Sequence, residues 1–474
     1  MHVVPILLTC LIVCSLGIVG YGIVDGLGRQ YPSTRRWLLM PFAGLALYAV
    51  AATFLNRAGL PAKSFAVPLL IGLLVANLSY GVIRRPNVSW RMAAPWCGAI
   101  VAAMLLVGWP LVVAGTNWIS TGNGDMTNYV LGANHFYEHG FYQLPSPNEL
   151  NREVDRSWNT SFYYSLGEVR SASQLILACL MALTGLSAVQ NYMILTVAFH
   201  VVAIMTAAAL ICKQQSRTGL SLAVFIAIAL SANFAYGTFI QLLPQDFGLA
   251  ALSASALVLL EMPPKGVALY TRACLGGLFI ATLLLAYPEL LPFLALAILI
   301  FAAIALYRRE LQWRRVVPYL VLICILAILF TNTSLLGISH ELIEAQGADA
   351  GNKIVNALFP SYLMPLGFAI GWGFLPYGTP DVSSVQAQAY TLVGIALYVI
   401  ALVIACKLTW RLEAAGIMAA TMLLLFFYLF ATQNGFGLFK LAMYAQPFVL
   451  ASLAIAISTT LPSVSKPAQA KVPV

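Results

Sequence analysis

The polar residues best placed to do chemistry lie between residues 116 and 170, after a long apolar run. Asp125 follows a Gly-Asn-Gly break and opens a stretch with the apolar spacing of an amphipathic helix. Asn128 and Tyr129, at i+3 and i+4 from Asp125, share its helical face. A carboxylate in this position could accept a proton from a substrate hydroxyl. The alternative is that Asp125 caps the helix.

Two cations could bind a phosphate near the same surface. Lys440 lies at the start of the last apolar run, close to Gly435 and Gly437, whose lack of side chains leads us to expect accessible backbone N–H groups. Arg170 precedes the apolar segment 171–188. The alternatives are that Lys440 reaches towards lipid headgroups and that Arg170 pairs with one of the nearby acids.

Five further polar residues lie together near the junction of two apolar runs: Asn233, Tyr236, Gln241, Gln245 and Asp246. Polar side chains are costly against lipid, so we expect these to face a cavity, unless the segment is a solvated loop. Glu289 lies in a Tyr-Pro-Glu turn, where helix capping is the first interpretation and a role in a site is the second.

His135 and His139 are spaced at i and i+4 with Glu138 between them. This spacing could hold a divalent cation, but two histidines without a third ligand are a weak signal. An amphipathic helix at the level of the lipid headgroups explains the pattern as well. The sequence therefore assigns no metal or cofactor.

The composition excludes most classes of soluble protein. Of 474 residues, 61% are hydrophobic and only 9% are charged, too few charges to cover a water-facing surface. A soluble enzyme, a nucleic-acid-binding module and a disordered protein are thereby excluded. The 8 cysteines are scattered singly in or beside apolar runs, which indicates small core residues and not disulfides or zinc ligands.

The apolar runs predict an all-α polytopic membrane protein. A bilayer core of ~30 Å requires about 20 apolar residues per helix. By this criterion the sequence has about thirteen spans, at 3–24, 37–55, 65–83, 95–115, 189–211, 219–235, 247–262, 272–287, 289–306, 317–331, 389–406, 414–431 and 441–461. We interpret 171–188 as a helix on the outer surface, because counting it as a span disturbs the charge pattern that follows.

The distribution of basic residues predicts the orientation. With the N-terminus outside, 18 of the 25 lysines and arginines fall in short inner connections or the tail, and 12 of the 16 acidic residues fall outside. The basic bias is the positive-inside signal. The inner basic residues are Arg29, Arg35, Arg36, Arg84, Arg85, Arg91, Lys213, Arg217, Lys265, Arg272, Arg308, Arg309, Arg314, Arg315, Lys407, Arg411, Lys466 and Lys471.

The two long outer segments divide the chain. We expect three N-terminal helices in 1–94, a catalytic membrane region in 95–331 with the outer loop 116–188, a second outer loop in 332–388, and C-terminal helices with a short tail in 389–474. Loops this long usually have a function of their own, so a site should face outward.

The order of motifs adds a family resemblance. An apolar run, GNGD, MTNYVLGANHFYEHGFY and an outer helix ending in LTGLS resemble the C-type (GT-C) integral-membrane glycosyltransferases. YGTFIQLLPQDFGLAALSASALV, AYPELLPFLALAIL and NGFGLFKLAMYAQPF are similar to later parts of that superfamily, so the resemblance covers roughly 95–461. It implies a polyprenyl-phosphate-linked sugar as donor, Asp125 as the catalytic acid or base, and Asp246 as an assisting acid.

We therefore expect an inverting glycosyltransferase that transfers a sugar to a glycan or lipid acceptor. Its partners would be the donor, the acceptor and membrane lipids, and no nucleic acid. It would lie in a bacterial inner membrane with its site facing the periplasm. The alternatives are a flippase or transporter of lipid-linked glycans, a polymerase or ligase of such glycans, and a non-catalytic assembly subunit.

The orientation can be tested by cysteine labelling in a variant without the native cysteines. We expect a membrane-impermeant maleimide added from outside to label Ser146→Cys and not Arg309→Cys. The opposite labelling pattern would reverse the orientation of every span.

Overall fold

In the computed structural model, residues 2–84, 90–121, 124–143, 170–213, 217–339, 359–376 and 383–460 are described. Every regular element within these ranges is a helix. The α-helices are α1 Val4–Leu27, α2 Ser33–Arg57, α3 Ala62–Arg84, α4 Trp90–Ala114, α5 Gly124–Glu138, α6 Ser171–Thr184, α7 Ala188–Ile211, α8 Thr218–Ala229, α9 Ala232–Phe239, α10 Leu243–Leu259, α11 Val267–Ala286, α12 Leu291–Tyr307, α13 Trp313–Thr331, α14 Gly367–Ile370, α15 Val385–Trp410, α16 Ala414–Ala431 and α17 Gly435–Thr460.

The length and apolar character of these helices confirm an all-helical polytopic membrane protein. In the described ranges, 11 helices are long and apolar enough to cross a membrane, and the bent pair α8 and α9 could form a twelfth span. The pair bends by 54°, so the span predicted at 219–235 is a broken helix. The span predicted at 247–262 is the 17-residue helix α10, which begins and ends earlier. The total of thirteen stays a prediction.

The segment predicted to lie on the outer surface forms the short helix α6. Its 14 residues extend only ~21 Å at ~1.5 Å per residue, less than a bilayer core. Residues 171–180 are all buried, so other helices enclose most of α6, whereas Leu183 in its last turn is exposed. Its apolar sequence reflects burial inside the protein.

Hydrogen bonds show which helix ends lie together. The amide of His2 donates to the carbonyl of Val112 at 2.8 Å, and Arg57 at the end of α2 donates to Tyr142 Oη at 2.9 Å. Arg57 also contacts Thr333, so the start of the second long segment lies at this same end. We call this end of the bundle the N-terminal end.

The opposite end, which we call the basic end, carries ion pairs between inner connections. Arg35 pairs with Glu261 at 2.8 Å, and Lys213 pairs with Glu413 at 3.1 Å. The two ends alternate along the chain as the charge distribution predicts. Which end faces the periplasm stays a prediction.

Close packing of α1 against α2 depends on two glycines. A Cβ at Gly20 would lie 1.9 Å from the carbonyl oxygen of Met40 and 2.6 Å from the amide nitrogen of Gly44. A Cβ at Gly44 would lie 1.9 Å from the carbonyl oxygen of Leu16. Because neither residue has a side chain, the two backbones come into direct contact, as at small-residue interfaces in membrane proteins.

A buried cation fixes the basic end of α7. The Arg35 side chain is only 2% exposed, and it donates to the carbonyls of Ala209 and Leu210 as well as to Glu261. Arg272 reaches the same Glu261 at 3.4 Å. These bonds satisfy carbonyls in the last turn of α7 that have no partner within the helix.

We expect Arg35→Met to lower the free energy of unfolding by about 3 kcal/mol, because it leaves a buried carboxylate and two carbonyls short of a donor. Thermal unfolding of the purified protein in detergent measures this. The control is Arg308→Met at the same end, whose partner Glu310 is 41% exposed, and it should change stability by less than about 1 kcal/mol. Equal effects of the two substitutions would contradict the assignment.

Candidate functional site

A cavity of about 330 Å³ lies at the N-terminal end, between α5, α9, α10 and α17. Its wall combines charged and polar side chains with aromatic rings. The lining residues are Thr121, Asp125, Tyr129, Arg170, Tyr236, Ile240, Leu242, Pro244, Gln245, Tyr287, Phe359, Phe436, Phe439 and Lys440.

The cavity brings together five residues that the sequence singles out. Asp125 and Tyr129 come from α5, Arg170 precedes α6, Gln245 lies in the first turn of α10, and Lys440 lies in α17. More than 300 positions separate the first of these from the last. A mostly apolar wall with a few convergent polar groups is typical of a binding site for a small molecule.

Arg170 has the most partners of these five. Its guanidinium donates to Tyr129 Oη at 2.8 Å, pairs with the Glu289 carboxylate and lies 4.7 Å from the centroid of the Tyr287 ring. Burial alone would lower the pKa of Arg170, but Tyr129, Glu289 and Tyr287 raise that pKa well above its usual value. The group therefore stays charged. Its backbone is left-handed, with φ of 54°, which turns the chain into α6.

Lys440 contacts the hydroxyl end of Tyr287. Its Nζ is 3.4 Å from Tyr287 Oη, and that hydroxyl is 3.0 Å from Tyr444 Oη. Nζ also lies 4.5 Å from the centroid of the Phe436 ring. In the described part of the chain Lys440 forms no ion pair, so its charge is available for a ligand.

Asp125 lies in the first turn of α5 and is exposed at the cavity. The helix begins at Gly124, so Asp125 follows the capping position by at least one residue. A carboxylate in a first turn is also favoured by the helix dipole. Its placement in the cavity wall puts its carboxylate next to any ligand that fills the cavity.

Asp246 points away from the cavity, although it follows Gln245 directly. It is 1% exposed and accepts a hydrogen bond from Thr238 Oγ1 at 2.8 Å. Thr238 Oγ1 also lies 2.8 Å from His200 Nδ1. Since a threonine hydroxyl has one proton, His200 must donate to Thr238 when Thr238 donates to Asp246. This geometry supports a structural role, and the catalytic role of Asp246 stays a prediction without support from its position.

Three other predicted residues lie beside the cavity and do not line it. Gln241 Nε2 contacts the carbonyl of Ile119 and thereby anchors the segment before α5. Asn128 is half-buried on α5. Glu289, in the turn Pro288–Leu290, reaches the cavity only through its partner Arg170.

Aromatic residues complete the site; Tyr236 was expected to face a cavity, whereas Phe359, Phe436 and Phe439 were missed from the sequence. Phe359 lies 4.7 Å from Phe439, and Tyr236 lies 5.8 Å from Phe439, measured between ring centroids. In an apolar chain, such rings look the same whether they face lipid or a cavity. For Tyr287 the only available signal was its place in the turn that also carries Glu289.

No group of three or more histidine, cysteine or carboxylate side chains in the described ranges could hold a metal ion. His135 and His139 are ring neighbours with centroids 5.0 Å apart, on the part of α5 that does not line the cavity. The arrangement can supply a carboxylate, two cations, a phenol and an amide to one ligand.

Comparison of the chain with protein-family models, with curated proteins and with solved structures gives no match. The site has to be interpreted from its own geometry.

Proposed function

We propose that this protein is a membrane glycosyltransferase of the GT-C type. It takes a sugar from a polyprenyl-phosphate donor and transfers it, with inversion, to a hydroxyl of a glycan or lipid acceptor. The reaction needs a base for the acceptor proton, a cationic site for the departing phosphate, and access for a lipid chain.

The observation that carries the proposal is the joint placement of two cations and a carboxylate in one cavity. Arg170 contacts the ring of Tyr287, Lys440 contacts its hydroxyl, and Asp125 lines the same space. Two cations and a phenol can share the charge of a phosphate through charge-assisted hydrogen bonds. Asp125 is then the group that accepts the proton of the acceptor hydroxyl.

The aromatic wall supports a lipid-linked donor. Phe436 and Phe439 belong to α17, whose apolar length is sufficient for a membrane span. An isoprenoid chain bound with its phosphate at Lys440 would therefore lie against apolar rings. A soluble nucleotide sugar would need polar contacts for its base and ribose in that position.

The placement of charges favours an enzyme over a transporter. In the described helices, every lysine, arginine, aspartate and glutamate lies in the first or last two turns. A flippase for a charged lipid-linked glycan would need polar groups along a path through the bilayer. A polymerase or ligase would be expected to use several arginines, whereas Arg170 is the one arginine of the cavity wall; Arg152 and Arg156 lie outside the described residues.

We further propose that the cavity faces the periplasm from a bacterial inner membrane, because the basic residues collect at the opposite end. The direct experiment is incubation of the purified protein with labelled polyprenyl-phosphate sugars and candidate acceptors. Release of polyprenyl phosphate that depends on an acceptor would support transfer.

Lys440→Ala should weaken binding of a polyprenyl-phosphate donor by about 10–100-fold, which is the loss of one charge-assisted phosphate contact. Equilibrium binding of labelled donor to the protein in detergent or nanodiscs measures this. The fold should remain intact, because Lys440 is only partly buried and forms one side-chain hydrogen bond in the described region.

Lys63→Ala is the matched control for this substitution. Lys63 lies at the same end of the bundle, outside the cavity wall, and pairs with Glu138. It should leave donor affinity unchanged. Unchanged affinity in Lys440→Ala would instead mean that Lys440 only reaches towards the headgroups.

Asp125→Asn should reduce turnover by roughly 10²–10⁴-fold while the protein still folds and binds donor, because an amide cannot take a proton at neutral pH. Asparagine would preserve most of any capping contribution, so a capping role predicts nearly normal turnover. Steady-state transfer rates at saturating donor distinguish the two roles.

The control is Glu138→Gln, at the far end of the same helix and 47% exposed. Its turnover should equal that of the wild type. Nearly normal turnover in Asp125→Asn would remove Asp125 from the mechanism, and Asp246 would be the next acid to test.

A further inference from the structure

The amide of Gln245 in the cavity wall has no partner that explains its position. Gln245 is 2% exposed, and its Oε1 is buried without a hydrogen-bond partner among the described residues. Its Nε2 contacts only the sulfur of Met443, at 3.7 Å, which is a weak acceptor. A buried amide with neither end well paired is unfavourable in the empty protein.

The side chain has little freedom to turn elsewhere. A Cβ at Gly237 would lie 2.9 Å from Gln245 Nε2, so α9 packs directly against the amide. The neighbouring Asp246 is held by Thr238, which fixes the start of α10. Gln245 is therefore held at the cavity with an unmet hydrogen-bonding demand.

We infer that Gln245 binds a hydroxyl of the transferred sugar, and that this contact, and not the phosphate, determines preference for the sugar-bearing lipid. The inference rests on the proposed function. A sugar hydroxyl both donates and accepts, so it pairs with the amide whichever way the amide is turned. A phosphate oxygen at neutral pH mainly accepts hydrogen bonds, and Lys440 and Arg170 are the groups that would donate to it.

The adjacent surface fits a sugar ring. Tyr236 lines the cavity from α9, and its ring meets Phe439 edge to face at an interplanar angle of 87°. An aromatic surface beside a single amide is suited to the apolar face and the polar edge of a hexose. Sites that hydrogen-bond a ligand hydroxyl reject analogues without it, because the polar group of the site is then left unpaired.

The test compares lipid ligands that differ only in the sugar. The probes are polyprenyl phosphate and polyprenyl-phosphate glucose, mannose and galactose, and the readout is the ratio of sugar-bearing to bare lipid affinity. Wild type should prefer at least one hexose. Gln245→Met, which keeps the length of the side chain, should reduce that ratio by roughly 10–100-fold and leave bare-lipid affinity unchanged.

Lys440→Ala provides the contrasting pattern, since it should weaken bare and sugar-bearing lipids equally and preserve the ratio. Deoxy analogues of the preferred hexose identify the hydroxyl. Removal of that hydroxyl should not lower the lipid affinity of Gln245→Met any further. Removal of other hydroxyls should lower the affinity of wild type and Gln245→Met by the same factor. Gln245→Leu repeats the test with a second apolar side chain.

Three results would overturn the inference. If Gln245→Met keeps the full hexose preference, the inference about Gln245 is wrong and the proposed function still stands. An equal loss for bare and sugar-bearing lipids would show that Gln245 only supports the cavity. Wild type that binds none of the four lipids would overturn the proposed function and the inference together.

Discussion

The cavity depends on the pairing of one partly buried cation, Arg170. A guanidinium removed from water is stable only with partners, and Arg170 finds them in Tyr129, Glu289 and Tyr287. These residues belong to α5 and to the turn before α12, and Arg170 itself begins α6. Satisfying this single charge therefore fixes the mutual positions of three elements that are distant in the chain.

The same pairing leaves the two cations of the site with different properties. The charge of Arg170 is largely neutralised by Glu289. In the described part of the chain, Lys440 contacts the hydroxyl of Tyr287 and the ring of Phe436 and forms no ion pair. Arg170 thus contributes rigidity and direction, and Lys440 contributes uncompensated charge. The charge of Lys440 would mainly stabilise a departing phosphate, and Arg170 would hold that phosphate in position.

Hydropathy predicted most of the fold because a bilayer demands long apolar helices with internally satisfied backbones. It misplaced α10, since Pro244 lets that helix start inside a polar stretch. It kept α6 out of the spans, which the length of the helix supports, but it missed the burial of residues 171–180, because an apolar segment covered by protein looks like one covered by lipid. Both errors arise where protein, and not lipid, surrounds the helix.

The sequence predicted which residues near helix ends belong to the site, but it did not predict in which direction their side chains point. Asp125, Arg170 and Lys440 could be found because polar residues next to spans are few. Gln245 and Asp246 could not be distinguished, although successive helical residues point about 100° apart and only one faces the cavity. The phenylalanines of the wall gave no signal, because their chemistry matches that of the lipid-facing surface.

The contact at Gly20 and Gly44 bears on how the chain is made. Every atom in that close approach belongs to residues 16–44, so the hairpin of α1 and α2 can be completed before any later helix exists. Ribosomes release chains N-terminus first, and early units fold as they emerge. The hairpin can therefore serve as the template against which α7 docks during membrane insertion. A bulkier residue at either glycine would disturb biogenesis before it disturbed the finished site.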